Sequence, residues 1–232
     1  MTRSPPSGEH PAAARAVVFD LDGLLIDTEG LFAEAARRIL ARRGLTLDLA
    51  FFATMMGTPG RDALPRFCKQ YRLTEPLDVI AAEYKRDFLA ALAGGRPPLM
   101  PGAVDLIDRL GRHRIPKAIA TSSTREYVGA VFGPHGLLDR FAFVLTCDDV
   151  THGKPHPEVY ARAAERLGLP PAAVVVLEDS VNGLRAAKAA GCRCVVVPHA
   201  QTPRDELAAA DLVARGLGDP TLWEILYPAA LS

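Results

Sequence analysis

Short apolar runs recur along the chain and alternate with amphipathic segments. Each run has four or five residues, nearly all apolar, and the runs lie at residues 16–19, 117–120, 141–145, 174–177 and 194–197. Continuous hydrophobicity of this length is typical of strands covered on both faces of a parallel sheet. The segments between the runs repeat apolar residues at helical spacing, as Val159, Tyr160 and Ala163 do. Strand and helix in alternation predict a doubly wound α/β sheet with right-handed crossovers.

One long stretch interrupts this alternation. Residues 30–95 contain helical patterns at 31–43, 63–72 and 76–92, separated by glycine-rich and proline-rich turns, and none of the strand pattern. We therefore predict a Rossmann-like core formed by residues 14–29 and 96–232, with an α-helical cap subdomain inserted at residues 30–95. Residues 1–13, rich in Pro, Ser and Ala, are expected to be a flexible N-terminus.

Composition narrows the range of partners and locations. The chain has 232 residues, with 27 Lys and Arg balancing 27 Asp and Glu, and this neutral balance argues against a nucleic-acid partner. No apolar run approaches the roughly 20 residues of a membrane span, so no membrane partner is expected either. Four cysteines are too few for a disulfide scaffold and predict free, mostly buried thiols in a reducing compartment. We expect a cytoplasmic protein, and a composition of this kind is compatible with a monomer.

Polar residues follow several of the predicted strands directly. Because the carboxyl ends of parallel strands meet at one edge of the sheet, residues at these points are expected to share a crevice. The residues in question are Asp20 and Asp22 after the first run, Thr121 and Ser122 after the second, Lys154 downstream of the third, and Glu178 and Asp179 after the fourth.

This set of side chains suits phosphoryl chemistry. Converging carboxylates repel one another unless a cation is present, and oxygen-only ligands select a hard ion such as Mg²⁺. Lys154 adds a positive charge and Thr121 a hydroxyl donor, while a carboxylate can attack phosphorus. Structural alternatives exist: an Asp-Gly turn at Asp20 and Asp22, and helix capping by Thr121. Glu178 and Asp179 could equally be acids at a helix N-terminus.

Four segments carry a family resemblance. They resemble, in family order, the four signature motifs of the haloacid dehalogenase superfamily, and the resemblance covers nearly the whole chain after the first dozen residues. The segments are VVFDLDGLLIDTE at 17–29, AIATSS at 118–123, GKPHPE at 153–158 and LEDSVNG at 177–183.

The resemblance implies a role for each matching residue. Asp20 would be the nucleophile that forms an aspartyl-phosphate, and Asp22 the general acid and base. Thr121, Ser122 and Lys154 would bind the phosphoryl oxygens. Mg²⁺ would be held by Asp20, Asp179, Glu178 and the backbone carbonyl of Asp22. The presence of Asp22, which the family's dehalogenases lack, favours a phosphatase acting on a small phosphate monoester.

Within the superfamily, the inserted helices resemble the α-helical cap of small sugar-phosphate and nucleoside-monophosphate phosphatases, such as those similar to pseudouridine-5′-phosphatase and 2-deoxyglucose-6-phosphatase. Glu29, Gly57 and Arg61 would then lie where the cap selects the substrate. The principal alternative is an isomerase similar to β-phosphoglucomutase. That family has a His and a Trp in its first cap helix, absent from residues 31–36, and an Arg where this chain has Gly60. A catalytically silent binding protein of the same fold is the remaining alternative.

Overall fold

The computed structural model describes residues 14–55, 58, 60–199 and 202–227. The predicted flexible terminus, residues 1–13, and the predicted specificity residue Gly57 lie outside the described residues. The described part of the chain contains six strands and nine α-helices, and the predicted α/β class is confirmed. The strands are β1 (Ala16–Phe19), β2 (Lys117–Ala120), β3 (Val144–Leu145), β4 (Val174–Glu178), β5 (Arg193–Val196) and β6 (Leu212–Val213).

The helices follow the predicted alternation and extend it. The predicted segments 31–43, 63–72 and 76–92 form helices shifted by a few residues, and Val159, Tyr160 and Ala163, whose spacing was predicted to be helical, lie in one helix. The short helices at 49–53, 125–131 and 221–226 were not predicted. The full set is α1 (Glu29–Ala41), α2 (Leu49–Ala53), α3 (Gly60–Tyr71), α4 (Leu77–Leu92), α5 (Ala103–Arg112), α6 (Arg125–Val131), α7 (Glu158–Leu167), α8 (Val181–Ala189) and α9 (Thr221–Leu226).

All six strands are parallel, in the order β3-β2-β1-β4-β5-β6. β1 lies between β2 and β4, and Phe19 is in register with Ile119 on one side and Leu177 on the other. This register places the residues that follow β1, β2 and β4 side by side, because parallel strands end at the same edge.

The sheet is covered on both faces, as its continuous apolar strands require. Val17 and Phe19 of β1 belong to a buried cluster that includes apolar residues of α5, α6 and α9. Val18, which points to the opposite face, packs in a second cluster with residues of α7 and α8. Alternation along a single strand thus divides the core into two layers.

Helices α1 to α4 form an insertion between β1 and β2, which we call the helical insert (residues 29–92). It has a buried cluster of its own, which includes Ile39, Phe52 and Phe67. Its two connections to the core run together: Asp27 N donates to Pro98 O at 2.9 Å and Met100 N to Leu25 O at 3.0 Å. The exact domain boundaries stay a prediction.

Two details of the sheet differ from the sequence pattern. The apolar run at 141–145 contributes only Val144 and Leu145 as a strand, since Phe141 is buried against the Phe19 ring before β3 begins. β6, a two-residue edge strand, was missed because its pattern is too short to distinguish from a loop.

The four cysteines are free, as predicted, with Cys68, Cys192 and Cys194 buried and Cys147 partly exposed. None of the described helices combines the length and hydrophobicity that a bilayer span requires.

Candidate active site

The ends of β1, β2 and β4 place the predicted site residues together. Asp20 follows β1 and is 6% exposed, Thr121 follows β2 and is 2% exposed, and Glu178 ends β4 and is fully buried. Asp20 N donates to Leu177 O at 2.9 Å, which continues the β1–β4 ladder into the site. The structure therefore delivers the carboxylates of Asp20 and Glu178 from neighbouring strands.

Lys154 joins these strand ends from the loop before α7. Its side chain is 2% exposed, and Nζ donates to Asp20 Oδ1 at 2.5 Å, to Glu178 Oε1 at 2.6 Å and to Ala120 O at 3.1 Å. Burial acts to lower the pKa of Lys154, but the carboxylates of Asp20 and Glu178 outweigh it and hold that pKa above its usual value. Lys154 is thus a buried, charged ammonium shared between two acids.

Glu178 is held by five hydrogen-bond donors. Oε1 accepts from Lys154 Nζ and from the Tyr160 hydroxyl, and Oε2 accepts from Asp179 N, Ser180 N and Ser180 Oγ at 3.0 to 3.3 Å. Burial would raise the pKa of Glu178, but Lys154 and these hydrogen bonds lower it below its usual value. Glu178 is therefore ionised, fixed in place and fully engaged with protein donors.

A glycine makes room for that carboxylate. A Cβ atom at Gly183, in the first turn of α8, would lie 1.8 Å from Glu178 Cδ. The same turn is capped by Ser180, whose hydroxyl accepts from Gly183 N at 3.0 Å. The β4–α8 junction thus builds a close cradle around Glu178.

The acidic side chains fit a hard cation. Ligand oxygens of Asp20, Glu178 and Asp179 all lie within 4.8 Å of one another, and all three residues are buried. Burial raises the pKa of Asp179 to about 6, and burial also raises the pKa of Asp20, against the opposing effect of Lys154. Burial, together with the neighbouring carboxylates, therefore disfavours the charged forms of Asp20 and Asp179. An oxygen-only donor set of this kind suits Mg²⁺.

Asp22 points its carboxylate at hydroxyl groups. Oδ1 accepts from Thr28 Oγ1 at 2.8 Å and from the Tyr127 hydroxyl at 2.5 Å, and Oδ2 accepts from Ser123 Oγ at 2.7 Å. Thr28 precedes α1, Ser123 follows β2, and Tyr127 lies in the first turn of α6. Three separate elements therefore fix the orientation of Asp22.

The remaining predicted residues take different positions. Thr121 accepts from Ser123 N at 3.1 Å, and α6 is capped by Thr124, so the helix-capping alternative for Thr121 is wrong. Ser122 lies partly buried between Thr121 and Ser123. Arg61 is exposed and donates from Nη2 to Thr151 O at 3.1 Å, in the loop that leads to Lys154.

Glu29, at the start of α1, lines a cleft of about 180 Å³ between the helical insert and the sheet edge. Thr54 of the insert and Asp179, Asn182 and Arg185 of the core line it as well. Asn182 Nδ2 also donates to Thr58 Oγ1 at 3.1 Å, which links the core to the turn before α3. The cleft thus opens beside the predicted metal ligand Asp179.

Several residues of the site were missed by the sequence reasoning. Tyr160 was assigned to the apolar face of its helix, and nothing in the pattern marks its hydroxyl as a donor to Glu178. Tyr127 and Ser123 carry no separate signal. His199 Nε2 lies 3.3 Å from Asp179 Oδ2, and that carboxylate raises the pKa of His199 above its usual value.

Comparison with known proteins identifies the family. The profile described as haloacid dehalogenase-like hydrolase matches residues 17–197. The chain belongs to this family. Two curated relatives are phosphatases by name, and together they confirm the predicted enzyme class, a phosphoric monoester hydrolase. A phosphorylated carbohydrates phosphatase of Thermotoga maritima is 34% identical, over 86% of this chain and 92% of its own length. A probable pseudouridine-5′-phosphatase of Saccharomyces cerevisiae is 32% identical, over 82% of this chain and 85% of its own length.

Solved structures of the family share the fold. CbbY of Rhodobacter sphaeroides, in complex with xylulose-1,5-bisphosphate, is 34% identical with a TM-score of 0.76, covering 88% of this chain and 95% of its own. A putative β-phosphoglucomutase of Thermotoga maritima is 30% identical with a TM-score of 0.72, covering 93% and 98%. The family and the Rossmann-like fold expected from the sequence are confirmed.

Proposed function

We propose that the protein is a Mg²⁺-dependent phosphatase that hydrolyses a small phosphorylated metabolite, a sugar phosphate or nucleoside monophosphate, through an aspartyl-phosphate on Asp20. The observation that carries this proposal is the contact of Lys154 Nζ with Asp20 at 2.5 Å and with Glu178 at 2.6 Å, in a buried group that also includes Asp179. A nucleophilic carboxylate, a fixed ammonium and cation ligands meet there at one point.

Asp20 and Asp179 are the residues proposed to hold Mg²⁺ through their side chains, with the backbone carbonyl of Asp22. Glu178 was predicted as a further ligand, but its two oxygens already accept five hydrogen bonds. We therefore assign Glu178 first to the positioning of Lys154. When bound, Mg²⁺ would neutralise the acidic cluster and polarise the phosphoryl oxygens.

The proposed reaction has two chemical steps, formation and hydrolysis of the aspartyl-phosphate, and Asp20 and Asp22 act in both. An oxygen of Asp20 attacks phosphorus, and the bond from phosphorus to the leaving oxygen breaks as Asp22 gives that oxygen a proton. Water then attacks phosphorus, Asp22 takes its proton, and the bond to Asp20 breaks, which releases inorganic phosphate. Lys154, with Thr121 and Ser122, would stabilise the charge on the phosphoryl oxygens in both steps.

The helical insert is proposed to be the cap that encloses the substrate. Its contacts to the core beside the site, Thr58 with Asn182 at 3.1 Å and Arg61 with Thr151 at 3.1 Å, support this role. Enclosure would exclude water and strengthen the electrostatic contacts. Glu29 and Arg61, together with Gly57, are the proposed specificity residues. The cytoplasmic location and the monomeric state stay predictions.

The test compares Asp20→Asn with Asp139→Asn, a substitution at an exposed carboxylate that is not one of the candidate site residues. We expect the wild type and Asp139→Asn to release phosphate from an aryl phosphate with Mg²⁺ and not with EDTA. Asp20→Asn is expected to lose at least about 10³-fold in kcat while its circular dichroism is unchanged. A screen of sugar and nucleoside monophosphates then identifies the substrate. Equal, negligible rates for all three proteins across that panel would reject the phosphatase and favour a silent binding protein.

An isomerase similar to β-phosphoglucomutase is the second candidate, favoured by the likeness to the Thermotoga maritima structure so named. Gly60, where those isomerases have an Arg, speaks against it. Product analysis separates the two functions, since interconversion of glucose 1-phosphate and glucose 6-phosphate without phosphate release would identify an isomerase.

A further inference from the structure

Tyr127 connects the helical insert to Asp22. Its hydroxyl donates to Asp22 Oδ1 at 2.5 Å, while its ring packs against two aromatic rings of the insert. The ring centroids lie 5.7 Å from Phe32 of α1, nearly parallel at 13°, and 5.2 Å from Phe88 of α4. A single core side chain thus contacts both a proposed catalytic carboxylate and two helices of the insert.

The aromatic group around Tyr127 is well ordered by its own contacts. Phe32 and Phe88 lie 5.3 Å apart, and the Tyr84 hydroxyl donates to the backbone oxygen of Phe32 at 3.0 Å. Aromatic pairs of this geometry contribute specific packing beyond the area they bury. The Tyr127 ring therefore packs directly against α1 and α4 of the insert as well as against the buried cluster of the core.

A second donor to Asp22 comes from the same boundary. Thr28, which donates from Oγ1 at 2.8 Å, immediately precedes α1 and is 1% exposed. Of the three residues that donate to Asp22, Thr28 directly precedes the insert and Tyr127 packs against it, whereas Ser123 follows β2.

We propose that Tyr127 is a positioning residue that couples the seating of the helical insert to the orientation of Asp22. The proposal rests on the proposed function, in which Asp22 is the general acid and base. Without the Tyr127 hydroxyl, Asp22 Oδ1 retains Thr28 as a partner, but its orientation no longer follows the packing of Phe32 and Phe88. Proton transfer depends on such geometry, because a misdirected carboxylate reaches neither the leaving oxygen nor the attacking water.

The first test is Tyr127→Phe, which removes the hydroxyl and keeps the ring. With an alkyl phosphate that the wild type hydrolyses, we expect kcat to fall about tenfold, a part of the 10²- to 10⁴-fold that a general acid or base contributes. KM is expected to stay within about twofold, because the change affects the transition state rather than substrate binding. Tyr71→Phe is the matched control: it also removes a tyrosine hydroxyl from the insert, where that oxygen accepts from Asp48 N at 2.8 Å, outside the aromatic group of Tyr127, and it should leave kcat at the wild-type value.

The second test asks whether Tyr127 acts through Asp22. Residual activity of Asp22→Asn is measured with an aryl phosphate, whose leaving group departs without a proton donor. Adding Tyr127→Phe to Asp22→Asn should cause no further loss, because the residue that Tyr127 positions is already disabled. An additional tenfold loss in this background would overturn the proposal, since Tyr127 would then act independently of Asp22.

The third test alters the rings and leaves the hydroxyl. Phe88→Leu should lower kcat in the wild type but not in Tyr127→Phe, because the coupling it disturbs is already absent there. If Tyr127→Phe folds poorly, as thermal denaturation would reveal, Phe88→Leu in the wild-type background alone tests the proposal, and an unchanged kcat there would overturn it. Wild-type kcat in a folded Tyr127→Phe refutes the coupling while the proposed function stands. A wild type that hydrolyses no phosphate monoester in the panel rejects the proposed function, and the coupling with it.

Discussion

The carboxylate of Glu178 depends on the absence of a side chain at Gly183. The first turn of α8 passes so close to β4 that an added Cβ would overlap Glu178 Cδ at 1.8 Å. Because Glu178 also holds Lys154, a displacement there reaches the Asp20 contact. The absence of a side chain at Gly183 therefore allows Glu178 to hold the Lys154 ammonium in place.

We predict that Gly183→Ala lowers the free energy of unfolding by at least about 2 kcal/mol, because it forces a buried, hydrogen-bonded charge from its position. Urea denaturation measures this change, and the proposed phosphatase activity should fall with it. Gly129→Ala is the matched control: Gly129 also lies in a helix, but a Cβ there would meet open space. It should be neutral or stabilising by up to about 1 kcal/mol. Equal effects of the two substitutions would contradict the cradle at Glu178.

For individual residues, the sequence identifies the charged side chains of the site better than the residues that donate hydrogen bonds to them. Asp20, Lys154 and Asp179 follow strands or belong to motifs, and the structure brings them together. Tyr127 and Tyr160 were not identified as donors. Both tyrosines lie on helices, where an aromatic residue is equally well explained by packing of its ring on the apolar face. Only the three-dimensional structure shows that their hydroxyls donate to the site.

An ion network joins the residues that directly follow α1 to helix α4 of the insert. Glu83 accepts from Arg42 at 2.8 Å and from Arg43 at 3.0 Å, and Arg42 also pairs with Asp87 at 2.5 Å. Hydrogen bonds from the two arginines lower the pKa of Glu83 from 4.5 to about 2. The network lies at the border between the apolar contacts of α1 with α4 and the solvent.

We predict that Glu83→Gln destabilises the protein by about 1 kcal/mol at neutral pH, a value discounted for the partial exposure of the network. Since the folded-state pKa is lowered, this contribution is complete above pH 4.5 and is lost as pH falls towards about 2. The stability difference from the wild type should therefore shrink between about pH 7 and pH 3.5 in urea denaturation.

Glu126→Gln provides the control for Glu83→Gln. Glu126 pairs with Lys85 at 2.9 Å, but its side chain is 74% exposed. No change in stability is expected at either pH, because exposed pairs contribute little. A loss equal to that of Glu83→Gln would contradict the role given to the network between α1 and α4.

The elements themselves follow from the sequence where their pattern is long or fully buried. β1, β2 and β4 and the longer helices were predicted because each buries a continuous run or a helical stripe. β6 and α2, with two and five residues, were missed. Elements this short are determined by the tertiary packing around them, which a local pattern does not contain.

The net charge of the whole molecule is zero, but its charged residues are unevenly distributed. The chain is formally neutral, yet Asp20, Glu178 and Asp179 are buried together with Lys154 as their shared ammonium. Burial raises the pKa of both Asp20 and Asp179, so bringing these carboxylates together in the fold carries an electrostatic cost. A bound divalent cation should relieve that cost throughout the folded state.

We therefore predict that Mg²⁺ stabilises the protein against heat. At a concentration about 100 times its Kd, Mg²⁺ should add about 2.7 kcal/mol, which raises Tm by roughly 5 to 10 °C for a chain of this size. Differential scanning calorimetry with Mg²⁺ and with EDTA measures the shift. Asp179→Asn should abolish it and Asp139→Asn should retain it, so a full response in Asp179→Asn would contradict the assignment of this ligand.

The two connections of the helical insert lie close together. The 64 residues from α1 to α4 therefore leave and re-enter the core at nearly the same point, as a short turn would. Backbone hydrogen bonds from Asp27 to Pro98 and from Met100 to Leu25 close the chain at that point. An exchange of everything beyond this closure would leave β1 paired with β2 and β4, and the order of the sheet unchanged. Recombination at this junction would therefore replace the surface proposed to enclose the substrate, while the strand ends that carry the charged residues are inherited intact.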